Sequence, residues 1–80
     1  MELDLSDWVK EARGILAQSI GISPDEVPID ASIESFEPWD SIVHVKVMMS
    51  VEERLGQPLD PVEAVKMFDL ASIAKYLSAA

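Results

Sequence analysis

A small all-α bundle, with three main helices, a short third helix and a long first loop, is the fold class this sequence predicts. Three observations predict it. Apolar residues recur at three- and four-residue steps over two long windows and again near the end of the chain. Helix start signals precede each window, and glycine or proline follows the longer ones. With 80 residues and a hydrophobic fraction of 49%, the chain holds one core and is too apolar to stay disordered. A single domain spanning residues 1–80 is expected.

The first helix is expected from near Ser6, with Leu5, Trp8, Val9, Ala12, Ile15, Leu16 and Ile20 on its apolar face. Ser6 is placed as its cap, Asp7 suits its positive pole and Gly21 ends it. Gly14 marks either a close approach of another element or nothing. Ser23-Pro24-Asp25-Glu26 reads as a capping box with proline at the first helical position, so one short turn is expected there, ended by Pro28. Beyond it the chain has no long period, and Ile29, Ile33, Phe36 and Trp39 are expected to pin the loop to the bundle. Asp40 is placed as the cap of the second helix. The run Val43-His44-Val45-Lys46-Val47 alternates like a strand, but the span to Leu55, closed by Gly56, is helical in length and pattern. Asp60, Pro61 and Glu63 start a short helix ending near Met67. Asp69 caps the last helix, whose Leu70, Ile73, Ala74 and Leu77 face inward.

Charge and composition exclude several function classes. Fifteen acidic residues against six basic ones give a net charge of −9, which repels nucleic-acid backbones and favours basic protein surfaces. Between Arg13 and Lys46 there is no lysine or arginine, while Asp25, Glu26, Asp30, Glu34, Glu37 and Asp40 all fall there. The absence of cysteine removes disulfides, thiolate metal sites and cysteine nucleophiles. The acidic start Met1-Glu2-Leu3-Asp4 does not read as a signal peptide, and no uncharged stretch approaches the ~20 residues of a membrane span. A cytoplasmic protein with no membrane partner is expected. The acidic loop lacks the spacing of a calcium loop, so no metal site is expected.

On a helical wheel the second helix has two apolar stripes. Val43, Val47, Met48, Val51 and Leu55 suit the core. Ile42, Val45 and Met49 lie roughly opposite, flanked by Lys46, Glu52 and Glu53, with Ser41 at the N-terminal edge. A helix in a monomer needs one apolar face, so the second is either covered by the loop or presented to a partner. Glu52 and Glu53 also fit ordinary solvated charges. Met48, Met49 and Met67 suit either core filling or an adaptable cavity. His44, three residues after Ser41, invites a Ser–His nucleophile, but nothing in the sequence supplies an orienting group or oxyanion site. A hydrogen-bonded histidine at the inner edge of the helix is expected, and no catalytic residue.

Asp40-Ser41-Ile42, opening a helix after a long acidic loop, resembles the Asp-Ser-Leu signature of the acyl carrier and peptidyl carrier protein family. The resemblance extends to Gly21-Ile22-Ser23 with Asp25-Glu26-Val27, to Ala31-Ser32-Ile33, to Val51-Glu52-Glu53-Arg54-Leu55-Gly56, and to the positions of the last two helices. It implies a four-helix bundle and a non-enzymatic carrier. Ser41 would be the attachment point of 4′-phosphopantetheine, transferred from coenzyme A by a phosphopantetheinyl transferase, and Asp40 would cap the helix and aid recognition. Acyl or aminoacyl groups would travel on the arm as thioesters. Ile42, Val45, Lys46, Met49, Glu52 and Glu53 would dock partner enzymes.

The chain departs from the pattern in places. Ile42 replaces the usual leucine. Trp39 stands where fatty-acid carriers have a small residue, a variant that resembles stand-alone carriers of specialised pathways. Val43, Lys46, Val62 and Val65 occupy positions often acidic in fatty-acid carriers. These differences imply a dedicated loading enzyme and downstream transferases. A monomer is expected, with self-pairing through the Ile42, Val45 and Met49 stripe as the alternative. The other reading of the same residues is a carrier-like helical adaptor without a prosthetic group, in which Ser41 is an ordinary first-turn serine.

Overall fold

The computed structural model describes residues 5–79. It is built from helices α1 (Leu5–Ile20), α2 (Ser41–Leu55), α3 (Pro61–Lys66) and α4 (Leu70–Ala79), with a 3₁₀ turn at Pro24–Glu26. The bundle expected from the sequence is the one observed, and no strand occurs among the described residues. The signal-peptide reading of Met1-Glu2-Leu3-Asp4 lies outside them. No helix among the described residues is long and apolar enough to cross a membrane.

α1 packs against both α4 and α2. Its Ala12, Ile15, Leu16 and Ala17 meet Leu70, Ile73 and Leu77 of α4 and Val47 and Val51 of α2 in one core. The expected inward residues of α2 and α4 are buried or packed on that core. Two expectations on α1 are corrected. The helix already includes Leu5, so Ser6 lies within its first turn and is not its cap. Leu5, expected on the apolar face, is exposed. Gly21 stops the helix with φ +94°, its amide donating to Ala17 O at 2.8 Å. At Gly14 a Cβ would meet nothing within 4 Å, so no close approach explains it.

The long first loop is a chain of turns, which is why its length is tolerated. Glu26 reaches back to the Ser23 amide at 2.9 Å, and the Ser23 hydroxyl accepts from Asp25 N. Ala31 N donates to Pro28 O at 3.0 Å, closing a β-turn. Ser32 and Ser35 exchange hydrogen bonds between their hydroxyls and amides. Trp39 N donates to Phe36 O at 2.9 Å across Glu37-Pro38.

The loop is tied to the bundle by backbone as well as side chains. Arg13 Nε of α1 donates to Val27 O at 2.7 Å. Ser32 forms an antiparallel bridge with Asp69, in which Ile33 N donates to Phe68 O and Leu70 N to Ala31 O. Of the expected anchors, Trp39 is buried and Ile33 and Phe36 pack on the core. Ile29 is not an anchor: it is 65% exposed. It occupies the first corner of the Pro28–Ala31 turn, where a side chain projects outward, and Val27 and Ala31 take the inward positions instead.

Candidate functional site

The start of α2 is set by the two residues before Ser41. Trp39, only 1% exposed, is among the largest fully buried side chains. It fixes the chain where the loop ends, so the next residues emerge at the surface in one place. Asp40 follows with extended backbone (φ −99°, ψ −176°), and its Oδ1 accepts from Val43 N at 2.9 Å. This is the N-cap expected from the sequence. Ser41 is then the first residue of the helix and is exposed. Its hydroxyl has no hydrogen-bond partner among the described residues. The amides of Ser41 and Ile42 belong to the first turn, which has no intrahelical acceptor for them.

Such a serine fits a covalently attached phosphodiester. Its oxygen is open to an incoming enzyme, no side chain covers it, and the positive helix end favours an anion there. The residues present thus meet the stereochemical requirement of 4′-phosphopantetheine: a primary hydroxyl in water at a rigid helix start.

His44 lies one turn along from Ser41, on the inner edge of α2. Trp39 Nε1 donates to His44 Nδ1 at 3.1 Å. His44 Nε2 lies 3.2 Å from Ala64 O of α3. An indole N–H can only donate, so Nδ1 is the acceptor. The neutral imidazole then carries its proton on Nε2 and donates it to the carbonyl. Both nitrogens are engaged by Trp39 and Ala64, and neither is hydrogen-bonded to the Ser41 hydroxyl. The expected inner-edge histidine is what the structure contains, and its link to Trp39 and α3 is more than the sequence indicated.

The outer stripe of α2 is exposed, with Ile42 at 68% and Val45 and Met49 also bare. The loop does not cover it. Lys46 and Glu53 are exposed beside it. Glu52 is different: its Oε2 accepts from Leu59 N at 2.8 Å, holding the loop between α2 and α3. Met67 is buried in the core, Met48 packs on it and Met49 faces solvent, so the three methionines do not line one cavity. No group of carboxylates and histidines among the described residues could hold a metal ion.

Sequence reasoning missed one feature of this surface. Val62, Val65 and Phe68 are exposed at and just beyond α3, with Val65 at 79%. The signal was available. Val62 and Val65 are three apart on a helix of only six residues, and Ala64 and Met67 already supply its inward face.

The chain is similar to an acyl carrier protein of Campylobacter hominis, with 28% identity over 68 residues, which are 85% of this chain and 86% of that one. No protein-family model matches the sequence. The similarity runs along most of the chain, so the resemblance to acyl carrier proteins does not rest on Asp40-Ser41-Ile42 alone.

Proposed function

From this similarity we infer that the chain is a carrier protein and not an enzyme, and we propose that Ser41 is where it carries its cargo. The observation that supports the reading best is the exposed, unbonded Ser41 hydroxyl at the first position of α2, held there by buried Trp39 and capping Asp40. Bound at Ser41, 4′-phosphopantetheine supplies the thiol that the chain lacks, on which acyl or aminoacyl groups are held as thioesters.

The protein's own residues do the rest by position. Ser41 offers its hydroxyl to a phosphopantetheinyl transferase. Asp40 keeps the helix start in one conformation and marks it with a carboxylate. Ile42, Val45 and Met49 give partners an apolar stripe, with Lys46, Glu52 and Glu53 at its margins. A net charge of −9 steers basic partner surfaces toward weak, fast docking. Tethering at one residue raises the effective concentration of the cargo at each enzyme in turn. The bare Val62, Val65 and Lys46 differ from the acidic residues of fatty-acid carriers, which favours a dedicated loading enzyme and specialised downstream transferases. In this reading residues 1–80 are one cytoplasmic, monomeric carrier domain.

Intact mass after incubation with coenzyme A and a promiscuous phosphopantetheinyl transferase tests the proposal. A gain of one phosphopantetheine group, absent in Ser41→Ala, is expected. No gain with several transferases would move the reading to the helical adaptor, for which the exposed Ile42, Val45 and Met49 stripe is the favouring observation. Full pathway activity of Ser41→Ala would do the same.

A further inference from the structure

Beside Ser41 lies the seam between α2 and α3, and the contact of His44 with Ala64 O bridges it. Residues three apart on a helix are surface neighbours, so His44 stands directly beside Ser41. Its ring spans the seam, with Nε2 hydrogen-bonded to Ala64 O on α3 and Nδ1 to the indole of Trp39 behind it. Trp39, Val47 and Met67 belong to the one core of the bundle and are all buried. An apolar chain entering here would have to break both hydrogen bonds, leave an indole N–H unpartnered and displace the indole itself. An open cleft of about 420 Å³ does exist, lined by Trp8, Arg54, Leu55, Gln57 and Leu77. It lies at the other end of α2, ~20 Å from Ser41 at 1.5 Å per residue.

Resting on the carrier reading of Ser41, we propose that His44, braced by Trp39 and Ala64, is a specificity-determining gate that keeps cargo out of the bundle. Cargo on this carrier therefore stays in water. Long apolar chains are unfavourable there because their whole surface remains hydrated. The cargo class that fits is a short or polar acyl group, aminoacyl groups included.

The test loads Ser41 from acetyl-coenzyme A and from octanoyl-coenzyme A with a promiscuous transferase, checks each product by intact mass, and compares their amide and indole NMR spectra. In the wild type the two loaded proteins should give the same shifts for Trp39 Nε1–H, Val47 and Met67, with differences confined to the neighbourhood of Ser41. In His44→Ala, and in His44→Thr as a milder change, the octanoyl form alone should shift those core signals, while the acetyl form reports that the variant is folded. Octanoyl-dependent shifts through the wild-type core would overturn the gate and leave the carrier reading intact. A folded His44→Ala whose core ignores the octanoyl chain would overturn the role of His44. Absence of any mass gain would overturn the carrier reading and the gate with it.

Discussion

The Trp39 indole donates to His44 at 3.1 Å, and the two rings lie 5.9 Å apart between centroids, tilted by 30°. One residue closes the loop and the other belongs to α2, so this bond joins the element that delivers Ser41 to the helix that begins with it. Through Ala64 the same imidazole reaches α3. Its energetic weight comes from the indole, which is too buried to find water if the partner is lost.

His44→Ala removes that partner. An unsatisfied buried donor costs about 1–3 kcal/mol, so the urea midpoint should fall accordingly. Trp39 fluorescence should change along with it, which a merely exposed histidine would not cause. An unchanged midpoint would mean the bond contributes nothing.

Asp40→Ala should lower stability by about 1 kcal/mol through loss of the Val43 cap, whereas Asp40→Asn should remain close to wild type because asparagine caps as well as aspartate. Chemical denaturation of the three proteins separates the cap from the charge. Modification of Ser41 in Asp40→Asn, followed by mass, then reports the charge alone.

Glu52 and Glu53 are adjacent in sequence and should behave differently. Glu52→Ala leaves Leu59 N without its acceptor and should cost about 1 kcal/mol. Glu53→Ala should stay within about 0.5 kcal/mol, as exposed substitutions usually do. Equal effects at the two positions would contradict the structural role of Glu52.

The glycines offer a contrast in sign. Gly56 ends α2 at φ +70°, so Gly56→Ala should destabilise by about 1–2 kcal/mol through backbone strain alone. Gly14 is within α1, and a methyl group added there would meet nothing inside 4 Å, so Gly14→Ala should stabilise by up to about 1 kcal/mol. Thermal melts of both variants check the pair.

Burial should separate the two stripes of α2 and their neighbours. Ile73→Ala, in the core at 0% exposure, should cost about 2–5 kcal/mol. A domain of this length holds only about 4–12 kcal/mol in total, so this variant should be largely unfolded on mild heating. Val45→Ala, on the exposed stripe, should melt like the wild type and lose affinity for partner enzymes.

The helices, the caps of α2, α3 and α4 and the position of Ser41 are legible in the amino-acid sequence. These depend on local chemistry: the apolar period of α1, α2 and α4, the carboxylates of Asp40, Asp60 and Asp69 aimed at nearby amides, and glycines where the chain turns left-handed. Each interaction spans four residues or fewer, so it is written in consecutive letters. Tertiary packing, by contrast, chose which apolar residues of the loop face inward, because Ile29 and Ile33 look alike in sequence and differ by the turn each occupies. Nor could sequence show that Arg13 holds Val27, that Ser32 pairs with Asp69, or that His44 joins Trp39 to Ala64. Those bonds close distances of up to 39 residues, from Ala31 to Leu70, set by how α1, α2 and α4 pack, and it is that packing which makes the histidine beside Ser41 a bridge across the seam.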